Sequence, residues 1–128
     1  AGCSWLDQHS LRNAAELDNV LVNYPRARYL LCGHIHQELD LDWNGRRLLA
    51  TPSTCVQFKP HCSNFTLDTI SPGWRTLELF ADGTLQTQVR RLQGNRFHPD
   101  TASEGYCCLR FFIFTDLIVL LVRRRRVC

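Results

Sequence analysis

The sequence predicts an α/β domain, and three features of the chain predict it. Apolar residues recur at helical spacing from Ser10 to about Tyr24. A short strand without alternation, residues 28–32, apolar from Tyr29 on, follows Pro25 almost at once. Strict alternation over residues 38–43 then halts at Asn44-Gly45 and resumes. Helix, buried strand and hairpin in this order, within 128 residues, describe one domain or a piece of one.

Each element has a physical reason. Leu11, Ala14, Leu17, Val20 or Leu21 and Tyr24 fall on one helical face, Ser10 is placed to cap it, and Pro25 ends it. The run Tyr29-Leu30-Leu31-Cys32 lacks a polar face, which is the habit of a central strand covered on both sides by helices or by a second sheet. In the hairpin, Leu39, Leu41 and Trp43 share one face and Glu38, Asp40 and Asp42 the other. Asn44-Gly45 suits a two-residue turn because both positions need positive φ. That loop pairs Asp42 with Arg47, Leu41 with Leu48 and Leu39 with Ala50. Residues 51–72 carry three prolines and read as irregular, and a loop of that length is often functional. A second hairpin is expected over 74–80 and 85–92, turning at Asp82-Gly83. Residues 94–106 are polar and read as an end.

An apolar fraction of 45% against 21% charged residues belongs to a globular chain, not a disordered one. The net charge of +3 divides unevenly. Residues 1–106 carry −1 and residues 107–128 carry +4, so the body gives no electrostatic ground for a nucleic-acid partner. The tail is apolar over 111–122 except for Thr115 and Asp116, and four arginines follow. That run is short of the roughly 20 apolar residues of a membrane span. It reads foremost as sequence foreign to the domain. The weaker readings are a membrane anchor, an extra strand or helix of the fold, or a nucleic-acid or targeting signal in the four arginines. Of seven cysteines, Cys107, Cys108 and Cys128 lie in the tail and the other four have no regular spacing. A reducing, cytoplasmic setting fits better than a disulfide framework. The chain has no Met and opens at Ala1-Gly2-Cys3, which suggests that its true beginning lies upstream.

Gly33-His34-Ile35-His36 is the most compact candidate for metal chemistry. Two imidazoles at the mouth of a buried strand would be held by a rigid scaffold, and neutral imidazole is a common transition-metal ligand. The plain alternative is two ordinary loop histidines; Gly33, which would allow a tight turn just after the buried strand, favours the metal reading. Two ligands are too few for zinc, which usually takes three or more from the protein. Further candidates are thin. His61 and Cys62 adjoin one another in the proline-rich loop, Asp40 and Asp42 are better explained by pairing with Arg47, His9 stands by a helix start, and His98 precedes Pro99.

Cys32-Gly33-His34-Ile35-His36 resembles the last motif of the calcineurin-like metallophosphoesterases. Three stretches in order narrow the likeness: Gly2-Cys3-Ser4-Trp5-Leu6-Asp7, then Leu31-Cys32-Gly33-His34-Ile35-His36-Gln37, then Thr51-Pro52-Ser53-Thr54-Cys55-Val56-Gln57-Phe58. Over residues 1–106 the chain resembles the C-terminal part of the bacterial class III 3′,5′-cyclic AMP phosphodiesterases. Members of that family end near the equivalent of Tyr106, so residues 107–128 depart from it.

The resemblance implies an α/β sandwich of two packed sheets with flanking helices, of which the N-terminal half is missing here. It implies two metal ions, iron, manganese or similar, bound at the strand ends by five motifs: Asp-x-His, Gly-Asp, Gly-Asn-His, a single His, and Gly-His-x-His. Only the last is present. His34 would share one ion with the absent Gly-Asn-His motif, and His36 the other with the absent Asp-x-His. The family's reaction breaks the 3′ ester of cyclic AMP to give 5′-AMP, through a hydroxide bridging two ions about 3.5–4 Å apart. Its general acid is usually placed on the His of Gly-Asn-His, so no catalytic residue is assigned in this chain. The substrate is a small cyclic nucleotide. The isolated chain is expected to be inactive; the other readings are a non-catalytic truncated product and, further off, a tail-anchored membrane-associated protein.

Overall fold

The computed structural model describes residues 2–94, 99–102 and the backbone of residues 117–120. His98, and residues 107–116 and 121–128 of the tail, lie outside the described residues.

The chain begins with a single helical turn, α1 (Ser4–Asp7), started by the Cys3 carbonyl, which accepts from the Leu6 and Asp7 amides at 2.9 and 2.8 Å. The expected helix follows as α2 (Ala14–Val22), shorter than its apolar pattern. Ser10 does not cap it. Asn13 precedes it and turns its side chain to Glu16 instead, at 3.3 Å. Leu11, the first residue of the pattern, is 42% exposed, so its side chain adds little to the helix's buried face. Leu21 is the residue of α2 that reaches the core.

Strand β1 (Tyr29–Cys32) comes next, then the hairpin β2 (Leu39–Trp43) and β3 (Arg46–Ala50). The hairpin register is the expected one, with Asp42 opposite Arg47, Leu41 opposite Leu48 and Leu39 opposite Ala50. Asn44 and Gly45 take φ of 52° and 78°, as the tight turn requires. The ion pair differs from the register. Arg47 reaches diagonally to both carboxylate oxygens of Asp40, at 2.9 and 2.7 Å, and Asp42 accepts from the Gly45 amide in the turn.

β3 returns parallel to β1, and a tail strand, here numbered β8 (Leu117–Leu120), pairs antiparallel on the other side of β1. The sheet order is β2-β3-β1-β8, which makes β1 an interior strand, as its sequence suggested. Only Leu30 of that strand is fully buried; its neighbours are half-buried.

Residues 51–72, read as irregular, contain a two-residue ribbon of β4 (Gln57–Phe58) with β5 (Leu67–Asp68). The second hairpin forms as β6 (Gly73–Leu79) and β7 (Leu85–Arg91). Arg75 staples it to the main sheet: its guanidinium donates to the Ala50 carbonyl at 3.0 Å and to the Leu39 carbonyl at 3.0 Å. Arg46 does the same for α2, donating to the Leu21 carbonyl at 2.7 Å at the negative end of the helix dipole.

The α/β class therefore stands, built from three small sheets and two short helices among the described residues. Two apolar clusters hold it. Cys3, Leu6, Phe58 and Leu67 pack with Trp5, Ile35, Val56 and Phe65. Leu21, Ala27 and Leu30 pack with Leu17, Trp43 and Leu48. The Gly33–His36 turn runs between them, since Leu30 belongs to one cluster and Ile35 to the other. Among the described residues no helix is long and apolar enough to cross a membrane.

Candidate metal centre

The turn after β1 carries its strain on the histidines, not on the glycine. Gly33 has an ordinary φ, and a Cβ placed on it would meet nothing. His34 and His36 instead hold φ of 69° and 51°, in the left-handed region that non-glycine residues seldom occupy. The Ile35 amide donates to the Gly33 carbonyl at 2.8 Å, closing a γ-turn centred on His34. A γ-turn with positive φ at its centre is rare and strained, and strain of this kind persists where surrounding structure enforces it. The expectation that Gly33 supplies the conformational freedom is corrected accordingly.

The surrounding structure that enforces it is aromatic. The His36 ring lies flat on Phe58, with centroids 4.3 Å apart and planes 5° from parallel. Phe58 is itself held edge-on by Trp5 at 5.0 Å and by Phe65 at 5.6 Å. A hydrogen bond with the Val56 backbone fixes the His36 ring further. Gln37 ties the turn to the same strand by donating to the Phe58 carbonyl at 3.3 Å. Gln57 is fully buried and braces the loop before β4, its amide bonded to Ser53 on both sides, at 2.6 and 3.2 Å. Phe58 and Val56 thus position His36. Both lie in the third stretch of the family resemblance, but nothing in their spacing marks the contact.

His34 and His36 each present a buried ring nitrogen without a hydrogen-bond partner: Nε2 of His34 and Nδ1 of His36. Buried polar atoms are normally satisfied, and an orphaned imidazole nitrogen is a free lone pair or an unspent proton. Burial lowers the pKa of both rings, and the nearby His9 adds to the effect at His34. At His36 the Val56 bond opposes part of that shift. Both rings are thereby held in the neutral form that binds metal. The donor chemistry fits a metal ion.

The rest of a ligand set is not here. Among the described residues no three His, Cys, Asp or Glu side chains gather closely enough to hold a metal ion. His9 stands edge-on to His34 with centroids 6.3 Å apart. His61 lies against Gly2, with Nδ1 2.6 Å from where a Cβ on that residue would sit, and the Cys62 thiol turns to the Pro60 carbonyl. Asp40 is engaged by Arg47, which lowers its pKa. A cavity of about 250 Å³ opens beside His34, walled almost wholly by apolar side chains such as Leu11, Leu17, Leu30, Trp43 and Ile35.

No family model and no solved structure matches the chain. Curated proteins do. A 3′,5′-cyclic adenosine monophosphate phosphodiesterase, CpdA, of Escherichia coli (strain K12) is 84% identical over 106 residues, or 83% of this chain and 38% of that protein. CpdA of Haemophilus influenzae is 52% identical over 103 residues, 80% of this chain and 38% of that protein. A 3′,5′-cyclic-nucleotide phosphodiesterase of Nostoc is 39% identical over 89 residues, 70% of this chain and 34% of that protein. The chain thus matches a segment of these phosphodiesterases and spans about 38% of the length of the first two. A matched stretch of 106 residues in a chain of 128 must contain residues 23–106, and so both His34 and His36.

Proposed function

We infer that this chain is a segment of a bacterial metallophosphoesterase that hydrolyses cyclic AMP at its 3′ ester to give 5′-AMP. The observation that carries the reading is the 84% identity to the Escherichia coli phosphodiesterase across a stretch that contains the Gly-His-x-His turn. The orphaned nitrogens of His34 and His36 support it independently, since they need a partner that the described residues do not supply.

In this reading His34 and His36 each hold one of two metal ions, iron, manganese or similar. Those ions would supply Lewis acidity toward the phosphate and a nucleophilic water at neutral pH. The chain's own part is positional. The γ-turn at His34 aims one imidazole, the stack on Phe58 aims the other, and burial keeps both deprotonated. The apolar clusters on either side keep the turn from relaxing. The three small sheets would be completed into the two-sheet sandwich by the remainder of such an enzyme. Residues 1–106 form the metallophosphoesterase portion and residues 107–128 a tail added to it. Cys32, Cys55 and Cys62 are reduced thiols, in keeping with a reducing, cytoplasmic setting.

The test is a replacement. The 106 matched residues of the Escherichia coli enzyme are exchanged for those of this chain, and conversion of cyclic AMP to 5′-AMP is followed. The exchanged enzyme should turn over cyclic AMP, and His34→Ala or His36→Ala should abolish turnover. An exchanged enzyme that folds and leaves cyclic AMP intact contradicts the reading. The 128-residue chain alone should leave cyclic AMP intact, because two imidazoles are too few ligands.

A further inference from the structure

The backbone of β1 has two hydrogen-bonding edges, and its bonds to β3 assign each residue to one of them. The Arg47 amide donates to the Arg28 carbonyl at 2.9 Å, and the Thr51 amide to the Cys32 carbonyl at 3.3 Å. Residues 28 and 32 therefore face β3. Successive residues of a strand point their N–H and C=O groups to opposite sides, so Leu30 also faces β3, while Tyr29 and Leu31 face away from it.

Without a neighbour on that side, β1 would present a flat edge reading Tyr-Leu-Leu-Cys, with no charge, proline or bulge to discourage pairing. Such an edge templates association with another chain. The structure fills it with the tail strand: Leu120 stands opposite Tyr29 and Ile118 opposite Leu31. By the same parity the Ile118 and Leu120 amides turn toward β1, and the Val119 amide turns to the other side of β8, the last strand of the sheet among the described residues.

We propose that residues 117–120 are a built-in edge cap, which occupies the outer edge of β1 and excludes the strand of a second molecule from it. The four arginines at 123–126 begin three residues after the end of the capping strand in sequence, where flanking charge opposes stacking of an apolar strand on others. The proposal rests on backbone pairing and is independent of the phosphodiesterase reading.

Two prolines in the full 128-residue chain test it. Ile118→Pro removes an amide that faces β1. Val119→Pro removes one that faces outward, where an edge strand tolerates proline. Amide exchange by NMR and mass by light scattering are read on both. The parent should have the mass of a monomer, and its Tyr29 and Leu31 amides should exchange as slowly as those of Leu30 and Cys32. Ile118→Pro should speed Tyr29 and Leu31 by on the order of tenfold or more, spare Leu30 and Cys32, and raise the mass through self-association. Deletion of residues 107–128 should reproduce that pattern, and Val119→Pro should match the parent. The proposal is overturned if Leu31 exchanges freely in the parent, if both prolines act alike, or if Ile118→Pro leaves rates and mass unchanged. It is also overturned if all four amides become fast, which would make β8 a requirement of the fold. A parent whose Leu31 protection falls on dilution would show a second molecule on the edge and equally refute the cap.

Discussion

Replacing Phe58 by leucine isolates what the aromatic brace contributes to the histidine turn. Phe58 is 5% exposed and makes three ring contacts: the stack on His36 at 4.3 Å, and edge contacts with Trp5 at 5.0 Å and Phe65 at 5.6 Å. Leucine retains most of the apolar burial, so the loss is chiefly the ring geometry. At roughly 0.5–1.5 kcal/mol for each of three aromatic pairs, beyond their area, Phe58→Leu should cost about 1.5–4.5 kcal/mol. Urea unfolding followed by tryptophan fluorescence measures that cost, since Trp5 belongs to the same cluster. The ring resonances of His36 should shift in the same variant, because the ring loses its parallel neighbour. A cost below about 0.5 kcal/mol, the range of an ordinary surface change, with His36 resonances unmoved, would refute the claim that Phe58 sets the histidine's position.

Arg75→Met keeps the apolar stem and removes the guanidinium bonds to the Ala50 and Leu39 carbonyls, so it should cost about 2–4 kcal/mol and speed amide exchange across the β6–β7 hairpin before the β2–β3 hairpin. Gly45→Ala meets no atom but must hold φ of 78°, so a cost of about 1–2 kcal/mol in thermal unfolding should come from the backbone alone. The depressed pKa values of His34 and His36 make stability depend on acid. Their contribution is present in full above the ordinary imidazole value of about 6.5 and is lost as pH falls from there through the lowered folded values, because the unfolded chain takes up protons first. Urea midpoints measured downward from about pH 8 should therefore drop below about pH 6.5 in the parent, and drop less in the double variant His34→Phe/His36→Phe.

Much of the fold could be read from local pattern. The β2–β3 register followed from alternation and from Asn44-Gly45, because a two-residue turn admits one register only. The β6–β7 hairpin was visible as two spans about Asp82-Gly83, but its register was not: Leu79 stands opposite Leu85 and the Phe80 amide donates to the Thr84 carbonyl, so three residues make the turn instead of two. The start of α2 did not, because a periodic pattern reports which residues could face a core and not which ones a core reaches; Leu11 stays exposed. The β4–β5 ribbon was hidden since two residues are too few to show alternation. The ion pair of Arg47 went to Asp40 because a long side chain can span the diagonal while a short Asp42 serves the turn. At the site, the histidines were visible in the sequence and their supports were not. The stack of Phe58 on His36 joins residues 22 positions apart, and only the packing of β4 beside the turn brings them together.

The central claim is that His34 and His36 each hold a different metal ion of a cyclic AMP phosphodiesterase. Metal content of the exchanged enzyme, by elemental mass spectrometry after dialysis, tests it without reference to turnover. The parent should carry two ions per chain, and His34→Ala and His36→Ala should each retain about one. Two ions retained in both variants would contradict it.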